Sequence, residues 1–489
     1  MSKKLTFEKY FYAIALFVYG VAAFFGVGYF NADEHYQIIE FADYLSGKNL
    51  PESLPWEFQE KIRPTLQPVI TYFIFKICDF LSIVDPYSKA FVLRLITVFF
   101  SVTTIYYFSK TCIKYFKLKY VKVFLFLSYF LWFLPLVNVR FSSEVWSGLF
   151  FLWAIILVLN IKTLHKHYLL LGFLLGFSFL FRYQIGFAIS GLFFWLYFVK
   201  KENFKKIFIF FLSITSIVIL GFLIDSWFYN DWVFTPYHYF RVNILESKAS
   251  EFGVSPWYYY FLFISFFSFV PIGLILLFSS FHFFWMKPKN VITWAIIPFL
   301  LGHMLVPHKE LRFLFPILNF VPIIIIISFE YFANKLWSIR YKKAFVILFS
   351  LLFLMNSLLL YFANTRAAGN GRGGIVVEIH KLNDKENINI FVTDDYYPKY
   401  LWTLNANFYK QHNATFINIE NPNFSFADVN QNNSKNVLII SVDDKKDKKI
   451  SEFINRMNLK QRNTTFPTFL FPLFEKYSYG NKVFILYSE

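Results

Sequence analysis

The chain has 489 residues, 57% of them apolar and 16% charged, where a soluble domain carries roughly 25% charge. Phe occurs 70 times and mean hydropathy is +0.46. These values exclude an ordinary soluble enzyme and a disordered protein, and point to a polytopic membrane protein. Two cysteines, Cys78 and Cys112, leave no disulfide scaffold or cysteine-based metal site. The net charge of +17 is read as membrane topology, not as nucleic-acid binding.

The first apolar stretch runs from about Tyr10 to Phe30. No small-residue cleavage site follows it, so it reads as a first membrane helix with Lys3, Lys4 and Lys9 in the cytoplasm. Residues 31–65 are polar and form a long outer loop. Leu66 to Val84 carries Lys76 and Asp79, and a charge at the bilayer centre costs about 3 kcal/mol on insertion scales. It is therefore expected to be an interfacial helix. The next span, about Ala90 to Ser109, then runs inward to Lys110, Lys114, Lys117, Lys119 and Lys122, as the positive-inside rule prefers. Val123 to Val139 goes out, and Val145 to Asn160 returns. A helical hairpin follows at 168–181 and 184–199, with Arg182 at its outer tip. Residues 207–228 lead out to a second long loop, 257–285 comes in, 291–306 goes out to the turn VPHKELR, 313–333 returns, and 344–363 goes out. About eleven spans result, mostly α-helical, with every basic cluster inside and the C-terminus outside.

From Asn364 the composition turns polar. The strand-length runs INIFVTDD, NVLIISVDD and KVFILYS predict a small α/β domain over 364–489, after a membrane domain over 1–363. The pairs Asp394–Asp395 and Asp443–Asp444 end two of those strands and are read chiefly as solvated caps. The sequons at Asn413, Asn423, Asn432 and Asn463 fall in an Asn-rich stretch and are read as chance.

The charges of the outer loops mark the expected site. They are Asp33, Glu34, His35, Glu40, Glu57 and Arg63; then Arg140, Glu144 and Arg182; then His238 and Arg241; then His308, Lys309, Glu310 and Arg312. Carboxylates can remove a proton, and cations can hold a phosphate. Asp33–Glu34 is either a base or metal-holding pair, or a polar cap. Arg63 is either a phosphate clamp or a surface anchor. Glu144 can pair with Arg140 four residues earlier, and Arg182 can snorkel to the interface. Gly369 to Gly374 is a weak phosphate-loop signal or a flexible exit from the last span. A transporter or flippase is the main alternative class; the lack of an internal repeat and of charge deep within spans argues against it.

Several motifs occur in order: Asn31-Ala32-Asp33-Glu34-His35-Tyr36-Gln37, Trp56-Glu57-Phe58, Ile62-Arg63-Pro64, Phe234-Thr235-Pro236 with Asn243, Ser255-Pro256-Trp257, His308-Lys309-Glu310-Leu311-Arg312-Phe313-Leu314-Phe315-Pro316, and Gly371-Arg372-Gly373-Gly374. In these the chain resembles the GT-C glycosyltransferases, specifically glycosyltransferase family 22, the lipid-phosphate-mannose-dependent mannosyltransferases of GPI-anchor and N-glycan assembly. It departs from the family pattern at Asn31, Ala32, Phe58 and Pro64. The resemblance implies a GT-C fold and inverting transfer of a sugar, mannose foremost, from a polyprenyl phosphate to a lipid-linked or glycan acceptor at the outer face. It implies Asp33 as base, with Glu34 as substitute or sugar contact. It assigns His308, Lys309, Arg312 and Arg63 to the donor phosphate, and Gln37, Glu57, Glu310, His238 and Arg241 to substrate, with Glu310 orienting Lys309. No organic cofactor is expected and a divalent metal is left open; the chain is expected to be a monomer without a nucleic-acid partner. The Phe-, Ile-, Lys- and Asn-rich composition suits an AT-rich genome, so a bacterial plasma membrane is favoured over the endoplasmic reticulum.

Overall fold

A computed structural model describes residues 2–160, 165–336, 342–369, 371–382, 387–393, 407–409, 414–421, 424, 435–476 and 483–489. They fall into two compact units: residues 1–23, 41–77 and 92–364 form the first, and residues 24–40, 78–91 and 365–489 the second.

The first unit is a helix bundle. Its elements, some of which run on into the second unit, are α1 (Ser2–Phe25), α2 (Leu66–Phe80), α3 (Pro86–Phe116), α4 (Val121–Phe130), α5 (Ser143–Leu159), α6 (His165–Phe181), α7 (Gly186–Phe194), α8 (Phe204–Tyr229), α9 (Tyr259–Phe267), α10 (Val270–Met286), α11 (Val291–Leu305), α12 (Val321–Leu336) and α13 (Lys342–Asn364). Five described helices are long and apolar enough to cross a membrane: Phe7–Phe25, Pro86–Phe116, Phe204–Tyr229, Leu311–Ala333 and Val346–Asn364. Six shorter apolar helices stand where the sequence predicts further spans. Lipid-facing exposure is the reason so many large apolar side chains, such as Phe17, Phe204 and Leu305, lie on the surface.

Helix association in an apolar solvent depends on close backbone approach. Gly172 and Gly176, one turn apart on α6, provide it against α8. A Cβ at Gly172 would lie 2.5 Å from Cβ of Ser213, and one at Gly176 would lie 2.6 Å from Cβ of Ile217. The expected hairpin of 168–181 with 184–199 is less intimate than its sequence order suggests: α6 packs on α5 and α8, and α7 packs on α11.

Two expected spans are broken, and each break has a cause. The stretch 123–139 stops being helical at Phe130 and resumes over Phe133–Asn138. Asn356 of α13 satisfies the freed backbone: its Oδ1 accepts from Trp132 N at 3.0 Å and its Nδ2 donates to Phe130 O at 2.8 Å. Asn364 Nδ2 donates to Trp132 O at 3.1 Å. Irregular backbone at membrane depth persists where protein groups supply such partners. The stretch 257–285 divides into α9 and α10 at Phe269, whose φ is 68°. Pro271 has no N–H to continue α9 and suits the first turn of α10.

Two charges lie near the ends of expected spans. Arg94 lies in α3 and Asp225 in α8, 5% and 2% exposed. Arg94 Nε donates to Ala23 O at 2.8 Å. A window of hydropathy averages over such single residues.

The second unit centres on a five-stranded sheet of order β2-β1-β3-β5-β4. Its strands are β1 (Ile388–Val392), β2 (Ala414–Asn418), β3 (Lys435–Ser441), β4 (Lys460–Thr464) and β5 (Phe484–Ser488). β1 pairs in parallel with β2 and β3, whereas β5 runs antiparallel to β3 and β4. Helix α14 (Arg372–Leu382) covers one face through Ile375, Val376 and Ile379, against Ile390, Val437 and Leu486. Helix α15 (Lys448–Arg456) covers the other through Ile450 and Phe453, near Phe391 and Leu438. The expected runs became β1, β3 and β5, whose central residues are buried. Asp444 Oδ2 accepts from Ser441 N at 3.0 Å and Thr393 Oγ1 at 2.8 Å, so this residue is the local cap the sequence suggested. Asp394–Asp395 and three of the sequons, at Asn413, Asn423 and Asn432, lie outside the described residues.

Candidate active site

In the first unit, three connections between helices meet. Ser255 N donates to Pro307 O at 3.0 Å, joining the second long loop to the turn before residue 311. Phe252 stacks on Trp56 with centroids 5.9 Å apart and meets the His308 ring at 6.1 Å, which adds the first loop.

Glu310 is the centre of the charged turn. Its carboxylate receives Arg312 through two bonds, Nε at 2.6 Å and Nη2 at 2.8 Å, and lies 3.0 Å from His308 Nε2. The two-pronged geometry fixes the guanidinium plane. Lys309 does not take part. Its ammonium turns inward to Ser255 O at 2.9 Å, Val306 O at 2.7 Å and Pro307 O at 3.5 Å. Three donors on three carbonyls make Lys309 the clamp of this turn, and burial pushes its pKa down. The expectation that Glu310 orients Lys309 is corrected: Glu310 orients Arg312 and His308.

Behind the turn lies a buried group that the sequence did not bring together. Glu144 Oε1 is 2.9 Å from Arg182 Nη1 and 3.6 Å from Arg312 Nη1, with all three side chains at most 9% exposed. These contacts are ion pairs lying off the hydrogen-bond axis. Arg182 Nη1 also donates to Ser143 Oγ at 3.2 Å, and the Phe313 ring lies 5.1 Å from the Arg182 guanidinium and 5.4 Å from that of Arg312. Glu144 therefore reaches Arg182 and Arg312, and Arg182 is a buried partner, not a snorkelling anchor. Arg140 is itself buried, 4% exposed.

The first-loop residues of this unit form a second group. Arg63 Nη2 donates to buried Glu57 at 3.4 Å and faces Tyr239 at 5.9 Å. His238 Nδ1 lies 3.3 Å from Glu60 O, and Arg241 sits 3.5 Å from Glu60 and 3.2 Å from Glu246. Asp225, missed in the sequence, anchors this loop: its Oδ1 accepts from Thr65 N at 2.8 Å and Thr65 Oγ1 at 2.6 Å, and its Oδ2 accepts from Thr235 Oγ1. Tyr183 and Thr235 share a further hydroxyl contact of 2.5 Å.

Asp33, Glu34 and Gln37 belong to the second unit. Asp33 and Glu34 open the short helix Ala32–His35 and are half-buried. Glu34 Oε2 accepts from Phe30 N at 3.3 Å. A π-helical turn, Tyr36–Glu40, follows directly and holds Gln37 buried; such turns recur at functional sites. In the glycine stretch beyond α13, Gly371 and Gly373 pack closely against neighbouring backbone. Gly371, at φ 86°, would place a Cβ 2.3 Å from Thr465 O. Among the described residues no cluster of three or more His, Cys, Asp or Glu is arranged to hold a metal ion.

The sequence profile of the Alg9-like mannosyltransferase family matches residues 10–399. The chain belongs to the Alg9-like mannosyltransferase family. It is thus a glycosyltransferase of mannosyltransferase type and a multi-pass membrane protein. Its relatives include GPI mannosyltransferase 3 of Candida albicans, 25% identical over 380 residues, which covers 76% of this chain and 72% of the relative. Mannosyltransferase APTG1 of Arabidopsis thaliana is 27% identical over 327 residues, 63% of this chain and 55% of the relative. Among solved structures, ArnT from Cupriavidus metallidurans bound to undecaprenyl phosphate superposes with a TM-score of 0.53 at 11% identity, covering 98% of this chain and 97% of that one. That likeness shows the shared GT-C fold the first-loop and turn motifs led us to expect. The transporter alternative gains no support from this family.

Proposed function

We propose that this family member moves mannose, with inversion, from a polyprenyl-phosphate donor to a hydroxyl of a lipid-linked or glycan acceptor. The observation that carries the reading is the set of loop cations in the helix bundle held on carboxylates, His308 and Arg312 on Glu310 and Arg63 on Glu57. Such cations suit a departing phosphate. The undecaprenyl phosphate bound to ArnT, a protein of the same fold, supports a lipid-phosphate donor.

In this reading Asp33 takes the acceptor proton as the hydroxyl oxygen attacks the anomeric carbon, and Glu34 contacts the sugar. The bond from that carbon to the phosphate oxygen breaks, and the electron pair stays on the lipid phosphate. His308, Arg312 and Arg63 stabilise that charge, while Lys309 holds the turn that presents two of them. Gln37, Glu57, Glu310, His238 and Arg241 serve substrate placement. The reaction face is extracytoplasmic or lumenal, with the N-terminus cytoplasmic and the C-terminal domain outside. A bacterial plasma membrane fits the composition.

The test is donor choice. Purified full-length protein is offered radiolabelled polyprenyl-phosphate mannose or GDP-mannose, each with a lipid extract of the source organism. Label should reach a new product from the lipid donor. Transfer from the nucleotide sugar alone would overturn the proposal.

A further inference from the structure

We propose that the C-terminal α/β domain positions the acidic pair of the first loop, with Tyr409 and Glu40 as its positioning residues. This rests on the reading of Asp33 as the base.

The segment 24–40 clusters with the sheet domain, and two grips hold it there. The first lies before the acidic pair. Ala368 N donates to Val27 O at 2.8 Å, and a Cβ on Gly373 would lie 2.5 Å from that same oxygen. Residue 373 is therefore a glycine because the loop backbone presses against it.

The second grip lies after the pair. The His35 ring is stacked between Tyr29 and Tyr409, each 5.2 Å away at 21° and 20°. Its Nε2 is 2.8 Å from Glu40 Oε1, and the same oxygen accepts from Phe408 N at 3.1 Å. His35 and Glu40 are 1% and 2% exposed. Tilted ring contacts continue from Tyr409 to Tyr87 at 4.6 Å, then to His380 of α14 at 4.6 Å, whose Nε2 lies 2.8 Å from Asp85.

A buried polar pair of this kind gives registry more readily than stability. Here the register concerns Asp33, which sits two residues before His35 on the same four-residue helix. Neither Tyr409 nor Glu40 is assigned a substrate contact; each acts through the helix that carries the carboxylate.

The experiment uses the purified full-length enzyme and steady-state transfer against pH. Tyr409→Leu removes the stacking ring, and Tyr409→Phe keeps it. Tyr409→Leu should lower kcat roughly 10- to 100-fold, the cost of displacing a catalytic group by about 1 Å, with donor KM unchanged. The acidic limb of its kcat–pH profile should move. Tyr409→Phe should match wild type. A Tyr409→Leu enzyme with wild-type kcat and pH limb would overturn the proposal, as would equal losses in the Phe and Leu variants. Should Tyr409→Leu fail to fold, Glu40→Gln keeps an acceptor for Phe408 N–H while removing the charge beside His35. It should move the same limb with a smaller loss of kcat, and an unmoved limb would overturn the inference. Asp33→Asn in the same assay separates the two readings. An inactive Asp33→Asn beside an unaffected Tyr409→Leu sinks the positioning role alone, whereas an active Asp33→Asn removes the base reading beneath it.

Discussion

Removing Glu144 would leave two guanidinium groups in the bundle without a shared counter-charge. Breaking a buried ion pair from one side costs about 3–5 kcal/mol. Arg312 keeps its two-pronged bond to Glu310, so the penalty falls on Arg182, which retains the Ser143 hydroxyl and the face of Phe313. Those contacts place Glu144→Ala at the low end, about 3 kcal/mol. The double variant Glu144→Leu/Arg182→Leu removes both charges and should be more stable than Glu144→Ala, with a coupling of roughly 2 kcal/mol between the sites. The assay is unfolding of the purified protein in mixed micelles, titrated with denaturing detergent and followed by helical circular dichroism. A near-neutral Glu144→Ala, or losses that simply add in the double variant, would refute the argument that these charges depend on one another.

Three further outcomes follow from the same geometry. Asn356→Leu orphans Trp132 N–H and Phe130 C=O and should cost roughly 2–4 kcal/mol in that unfolding titration; a neutral result would mean the break after Phe130 has other support. Lys309→Met should lower stability by about 1.5–3 kcal/mol, because three carbonyls lose a charged donor. Unchanged stability with lost donor binding would instead make Lys309 a direct phosphate ligand. Gly176→Leu should separate α6 from α8 and reduce folded yield in size-exclusion chromatography, since a Cβ there already meets Ile217 at 2.6 Å; wild-type yield would contradict the close packing.

Much of the bundle was legible because an apolar window of span length has few other uses. What interrupts the windows was not. The break after Phe130 is satisfied by Asn356, 224 residues away from its partner Trp132, and nothing local announces it. Asp225 was hidden because 25 other residues of α8 outweigh it. In the sheet, β1, β3 and β5 are apolar runs, while β2 and β4 are partly exposed and β4 is polar throughout, so only the buried strands left a pattern. The charged turn at 308–312 stood out by density. Its partner pair Glu144–Arg182 did not, because two single charges 38 positions apart carry no local signal. His35 and Glu40 were visible as first-loop charges, but their tie to Phe408 spans 368 positions between Glu40 and that residue.

The central claim is that a first-loop carboxylate removes the acceptor proton. The measurement that tests it is transfer from radiolabelled polyprenyl-phosphate mannose by purified wild type and Asp33→Asn, with donor binding and thermal stability recorded for both. The account predicts that Asp33→Asn folds and binds donor as wild type does, yet transfers at least about 100-fold more slowly, as loss of a general base requires. Wild-type turnover in Asp33→Asn would contradict it.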